Sequence, residues 1–241
     1  MRNRGVDVYD FSLLFGGALK QNASSETMGD GATRTTRRND FRELIRYLSQ
    51  NSSLLVVFLI AAILNLALVG LTIGAPVIVA KHLGMQSSFV GIIEVAMGLG
   101  GLVGSGLVGI WPHRFSFKGI CRYVAMICFG VVPIIVTLLS GPDELAFAAL
   151  AAGSAWVMAW ASITSVEIVS FVQRSAPKEL CGKVLALVYM TLSCATPIGQ
   201  LVYGLAYDRW TPAIVFAGML AVLTLTTALF YRLKSRLWRL S

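Results

Sequence analysis

The sequence predicts an all-α polytopic membrane protein, six transmembrane helices arranged as two inverted three-helix repeats. Three observations lead there. The chain of 241 residues is 56% hydrophobic and only 13% charged, with a mean hydropathy of +0.73, and lacks the charge that covers a soluble domain of this size. Its apolar residues fall in six helix-length runs, where ~20 residues suffice to cross the ~30 Å hydrocarbon layer. Its basic residues gather in every second connection, as cytoplasmic loops do in polytopic proteins.

Residues 1–39 are polar and rich in Gly, Ser, Thr and Arg. They show no period of 3.6 or 2 and read as a disordered cytoplasmic tail without a secretory signal. Residues 40–49 read as an amphipathic helix lying on the membrane surface. Asp40 and Glu43 have the spacing of a capping box, Phe41, Leu44, Ile45 and Leu48 share one face, and Arg42 and Arg46 lie on the other.

The six-helix domain spans 54–231. The first span, α1, is expected from Leu54 to Ala80, ~40 Å at helical rise, with Asn65 near its middle and a bend near Gly74 and Pro76. The second, α2, runs from Phe89 to Trp111 with Glu94 as its one charged residue, and holds seven glycines from Gly91 to Gly109. Glycine disfavours a helix in water, but in lipid it lets helices approach until their backbones touch. Gly100 with Gly104, Gly101 with Ser105 and Ser105 with Gly109 are small-xxx-small pairs, so α2 must sit against protein. The third span, α3, from Tyr123 to Leu139, is short and holds Pro133, which predicts a kink. The fourth, α4, from about Leu145 to Phe171, carries Trp156, Trp160, Thr164 and Glu167. The fifth, α5, from Val184 to Tyr207, carries Thr191, Ser193, Thr196, Pro197 and Gln200, polar enough to require that one face look into the bundle or a cavity. The sixth, α6, runs from Ala213 to Tyr231, and a basic cytoplasmic tail, 232–241, follows.

Charge sets the orientation. Arg34, Arg37, Arg38, Arg42 and Arg46 precede α1; Arg114, Lys118 and Arg122 follow α2; Arg174, Lys178 and Lys183 follow α4; Arg232, Lys234, Arg236 and Arg239 follow α6. The opposite connections hold Lys81, then Asp143 and Glu144, then Arg209. Both termini are therefore expected in the cytoplasm of a cell with this chain in its inner or plasma membrane. The net charge of +8 is explained by these clusters at span ends, which face lipid head groups, and not by a nucleic-acid partner. Cys121, Cys128, Cys181 and Cys194 form no CxxC pair and read as reduced packing residues; no metal or cofactor motif is present.

An internal echo accompanies the alternation. Gly104, Gly109 and Arg114 at the end of α2 are matched by Gly199, Gly204 and Arg209 at the end of α5, at a constant offset of 95. The two helices run in opposite directions, as inverted repeats of three helices require.

With these residues the chain resembles the major facilitator superfamily, specifically the second half of such a transporter, helices seven to twelve, over residues 40 to 232. The turn Gly109 to Lys118, with His113 and Arg114, is similar to that superfamily's G-x-x-x-D-R-x-G-R-[KR] loop, His113 replacing the acidic residue and Ser116 the glycine. The segment Gln173, Pro177, Glu179, Cys181, Gly182, Lys183 is similar to the Q-x-x-x-P-x-E-x-R-G-R loop before helix eleven in drug- and siderophore-efflux branches, with Cys181 and Lys183 where arginines are usual. The resemblance implies export of a small amphiphilic molecule by proton-coupled alternating access. It also implies that this half needs a second one, from a homodimer or a separate N-terminal half.

Individual residues carry two readings each. Glu94, about two turns inside α2, is a proton-coupling candidate, since an ionised carboxylate there costs ~2.5 kcal/mol or more unless paired, wet or protonated; hydrogen bonding to a neighbouring helix is the competing role. Glu167, near the cytoplasmic end of α4, is a second candidate, with an ion pair to Arg174 or a reach to water as the structural alternative. Asn65, Trp156, Trp160 and Gln200 are candidates for lining a cavity, with interhelical bonding or packing as the alternative. Gly100, Gly104, Gly109, Gly199 and Gly204 are expected at helix contacts. His113 reads as a solvated loop histidine or a pH-sensitive hinge.

An intramembrane enzyme is disfavoured. Val103-Gly104-Ser105-Gly106 lacks the first glycine of a rhomboid-type G-x-S-G nucleophile, and His82 and His113 lie in loops. A six-helix scaffold or assembly partner that moves no solute is the remaining alternative.

Overall fold

The computed structural model describes residues 52–237 apart from Pro177. The tail 1–39, the amphipathic segment 40–49 and the last residues, 238–241, lie outside the described residues. Within them the fold is all-helical and polytopic: α1 Ser52–Val77, α2 Ser87–Ile110, α3 Ile120–Ser140, α4 Asp143–Ser175, α5 Lys178–Arg209 and α6 Pro212–Leu237. The first five contain windows long and apolar enough to cross a bilayer, and α6 has a shorter described apolar stretch, Pro212–Ala228.

The helices outrun the apolar runs that announce them. Hydropathy marks only the part that suits hydrocarbon, whereas α4 begins at Asp143 and Glu144, whose carboxylates favour the positive end of the helix dipole. Pro133 lies inside α3, which continues through it from Ile120 to Ser140 and exceeds the short span expected. At the far end of α1 the chain closes in a π-helical turn, Ile78–His82. Leu83 N–H donates to Ile78 O at 2.8 Å and Met85 N–H to Val79 O at 3.0 Å. Gly84 then reverses the chain with φ of 60°, a left-handed conformation in which glycine carries no steric penalty.

Three glycine-lined seams assemble the bundle. On α2 the buried residues Ile93, Gly100, Gly104 and Val108 form one narrow stripe. It meets α4 so closely that a Cβ on Gly100 would fall on the carbonyl of Ala155, and one on Gly104 on the carbonyl of Ala159. Between α3 and α4, a Cβ on Gly153 would stand 2.8 Å from Gly130 O, and Gly130 itself lies under the Trp156 ring. Between α1 and α5, Gly70 lies under the Tyr203 ring, Gly74 under Tyr207, and Gly199 against Leu66 and Val69. The other two glycines expected at contacts, Gly109 and Gly204, have nothing within 4 Å of an added Cβ. They point away from the partner helix, which is still in reach at both levels: Val108 packs with Ile163 of α4, and Tyr203 and Tyr207 seat on glycines of α1.

The helix neighbours obey a two-fold relation. The pairs α2 with α4 and α5 with α1 are matched, as are α3 with α4 and α6 with α1, while α3 packs on α6. Exchanging α1 with α4, α2 with α5 and α3 with α6 leaves this set unchanged, which is what two inverted three-helix repeats produce. Helices α4 and α1 are the central members, each flanked by two helices of the bundle.

Gly104 and Gly109 make a matched test of the α2–α4 seam. Gly104→Ala puts a methyl into a backbone carbonyl that cannot move without its helix, and should lower stability in detergent by about 1–3 kcal/mol. Gly109→Ala should leave the thermal midpoint unchanged. Equal midpoints for the two variants in a thermal melt would refute the seam.

Candidate functional site

Helices α1, α4 and α5 converge on a cleft of about 80 Å³, touched also by Ile127 of α3. Its polar wall consists of Asn65 of α1, Thr164 and Ser165 of α4 and Tyr189 of α5, and the rest of the lining is aliphatic. Among the described residues no acidic or basic side chain lines it. The cleft lies deep within three spans, between the central helices of the two repeats.

Asn65 fixes α5 to α1. Its Nδ2 donates to Leu192 O at 3.1 Å and to Thr196 Oγ1 at 3.3 Å, and Thr196 Oγ1 in turn donates to Leu192 O at 3.0 Å. A carbonyl only accepts, so the amide nitrogen must face α5 and Oδ1 must face away from Leu192 O. Thr164 Oγ1 donates to Trp160 O of its own helix at 2.7 Å, which is how a threonine is accommodated in a span without an interhelical partner.

Beyond Asn65 the parallel helices α1 and α5 close into a clasp. Tyr203 and Tyr207 seat on Gly70 and Gly74, and Tyr207 Oη donates to Gly70 O at 3.0 Å. At the ends Lys81 Nζ meets Asp208 Oδ1 at 3.2 Å, with the two side chains 70% and 67% exposed. The cleft therefore belongs to the N-terminal halves of α1 and α5, and the clasp to their C-terminal halves.

The remaining candidates lie elsewhere. Trp156 and Trp160 are not among the cleft residues. Trp156 Nε1 donates to Met126 O of α3 at 2.8 Å, its ring meets Phe129 and Trp160, and Trp160 stacks on Tyr123 with centroids 5.8 Å apart. The two form an aromatic ladder on the α3–α4 seam, because the side of α4 that carries them faces α3. Gln200 is exposed on α5 and Glu94 exposed on α2, and neither lines the cleft. Glu167 is 3% exposed. Its expected pairing with Arg174 is not formed at ion-pair distance, and Arg174 Nε donates to Ser170 O at 3.3 Å.

In the basic turn after α2, His113 and Arg114 are exposed. Tyr123 of α3 holds the turn through its hydroxyl, which accepts from Ser116 N–H at 2.9 Å and lies 3.2 Å from Ser116 O. Phe117 stacks on Phe171 of α4 with centroids 3.9 Å apart. The Lys118 and Glu179 side chains and Pro177 lie outside what is described. Gln173 and Lys183 are exposed, and Gly182 stands in open space. Sequence reasoning passed over Tyr123, Tyr203 and Tyr207 as contact residues; for Tyr203 and Tyr207 the glycines of α1 that receive their rings are the signal that pointed to them, and for Tyr123 there is Gly119, four residues before it.

A family model described as transmembrane secretion effector, of the major facilitator type, matches residues 19–240. No curated protein and no solved structure matches the chain.

The clasp sets buried against exposed polarity. Tyr207→Phe removes a buried interhelical hydrogen bond and should cost about 1 kcal/mol. Asp208→Asn breaks an exposed pair worth about 0–1 kcal/mol and less in salt. Thermal unfolding in detergent at high salt should show the first loss in full and the second almost gone; the opposite order would show that the ion pair, not the tyrosine, holds the clasp.

Proposed function

The chain belongs to the transmembrane secretion effector family of the major facilitator type, and on that premise we propose that this membrane transporter exports a small amphiphilic molecule by proton-coupled alternating access. The observation that carries the reading is the uncharged cleft deep in the spans between α1, α4 and α5. Secondary transporters bind substrate near the bilayer midplane at the junction of their repeats. The cleft also sits where two central helices could rock past one another.

A second six-helix bundle completes the pathway. A cleft of about 80 Å³ is well below the ~300–1,000 Å³ of a site for a drug-sized ligand, so further walls are needed. Helices α2 and α5 offer the surface for them: little of either is covered within the bundle, and the uncovered side of α2 bears Glu94, Gly91 and Gly98. A carboxylate at that depth is unfavourable against lipid tails, which supports a protein or water-filled boundary there and makes Glu94 the favoured proton carrier. The alternation of basic connections supports cytoplasmic termini in the cell membrane, and the Gln173 to Lys183 segment supports an efflux-type lineage.

Proteoliposomes holding the full chain under an imposed pH gradient provide the test. Uphill movement of small amphiphiles is expected from the native chain, and Glu94→Gln should lose most of the pH-driven component while exchange at equal pH persists. Unchanged pH dependence in Glu94→Gln would remove that residue from coupling. Absence of flux for every amphiphile, with the chain folded, would favour a scaffold.

A further inference from the structure

We propose that the cleft between α1, α4 and α5 selects the hydrogen-bond-donating end of an uncharged molecule, a hydroxyl or N–H group on an apolar body, and rejects ions of either sign. This rests on the transport reading for its physiological meaning, but it is a statement about binding.

The donor preference follows from Asn65 and Thr164; the hydroxyls of Ser165 and Tyr189, also in the lining, donate and accept alike and so discriminate neither way. The Asn65 amide nitrogen is committed to Leu192 O and Thr196 Oγ1, so what Asn65 can offer a ligand is Oδ1, an acceptor. No described residue donates to that oxygen, and it is not among the buried side-chain atoms lacking a partner, the one such atom described being Ser154 Oγ. An oxygen with no bond and no burial is accessible, and Asn65 lines the cleft. Thr164 gives its hydroxyl proton to Trp160 O, so toward the cleft it too can only accept.

Charge rejection follows from the lining. Among the described residues no Asp, Glu, Lys, Arg or His borders the cleft, and transferring an ion into such surroundings without a counter-charge is strongly unfavourable. Size limits what enters: about 80 Å³ is roughly half the engineered cavity of about 150 Å³ that accepts benzene. One polar end with part of its apolar body fits, and the remainder extends through the open side.

Ligand-observed fluorine NMR on the full chain in detergent tests this with four probes, 4-fluorophenol, 4-fluoroanisole, 4-fluorobenzoate and 4-fluorobenzylammonium, each referenced to protein-free micelles. The phenol should bind about fivefold more tightly than the anisole, the advantage of one hydrogen bond, and the two ions should not bind. Asn65→Leu should erase the preference for phenol over anisole. Because that change also releases α5 from α1, Ser165→Phe serves as the second variant: its position is exposed to the cleft, and filling it should abolish phenol binding while leaving the Asn65 bonds in place. Equal affinity for phenol and anisole, binding of either ion as tight as phenol, or phenol binding unaffected by Ser165→Phe would each overturn the inference. Flux in proteoliposomes is a separate readout. Selective phenol binding without flux would refute transport and leave the site standing, whereas flux of charged amphiphiles without phenol binding would do the reverse.

Discussion

Backbone contact between α2 and α4 is the constraint from which the rest of the bundle follows. In hydrocarbon, apolar side chains gain little by exchanging lipid for protein, so helices associate through close packing and a few hydrogen bonds. Gly100 and Gly104 meet the carbonyls of Ala155 and Ala159, and the shared spacing of four fixes register as well as distance. A second side of α4 is closed by Gly153 against Gly130 of α3. What remains of α4 is the side with Thr164, Ser165 and Ile168, and that side borders the cleft. The cleft is where it is because the other surfaces of α4 are already engaged.

In the seam related to α2–α4 by the two-fold exchange, α1 takes the place of α4 and α5 that of α2, but the contact is made differently. Where α2 brings glycines to the carbonyls of α4, α5 brings the rings of Tyr203 and Tyr207 to the glycines of α1. A carbonyl against a glycine draws two backbones together along the whole contact. A phenol against a glycine acts at one end of the helix and adds a hydrogen bond there, Tyr207 to Gly70. The same topology therefore yields one seam, α2–α4, closed by backbone contact, and a second, α1–α5, clasped by side chains toward one end.

Much of this was legible in the sequence, and the reasons differ residue by residue. Span number follows from transfer into hydrocarbon, a property of composition alone, and so survives folding. Span ends do not, because Asp143, Glu144 and Lys178 are helical without being apolar. Gly100 and Gly104 were legible by spacing in an apolar run, yet Gly109, four residues from Ser105, has nothing beside an added Cβ, since it is exposed while its neighbour Val108 faces α4, and which side of a helix meets its partner is a tertiary quantity. Asn65 announced itself because an amide in a span needs a partner. Thr164 did not, because its hydroxyl bonds its own helix. Trp156 and Trp160, a turn apart, describe a cavity wall and a packing ladder equally well, and only the placement of α3 decides for the ladder.

The asymmetry of α1 and α5 has a mechanical consequence. Their C-terminal halves are joined by two rings seated on glycines and by the buried Tyr207 bond, to which the exposed Lys81–Asp208 pair adds little. Toward their N-terminal halves the hydrogen bonds that join them are those of Asn65, and next to these is the cleft. Widening the cleft at that end breaks the Asn65 bonds and parts apolar packing, with the clasp as fulcrum. Parting the other end requires both rings to leave their glycines at once. On the proposed transport cycle, the described bundle thus gates from the cleft end of this pair by itself, whereas opening from the clasp end must move α1 and α5 together, as one body, against whatever encloses them.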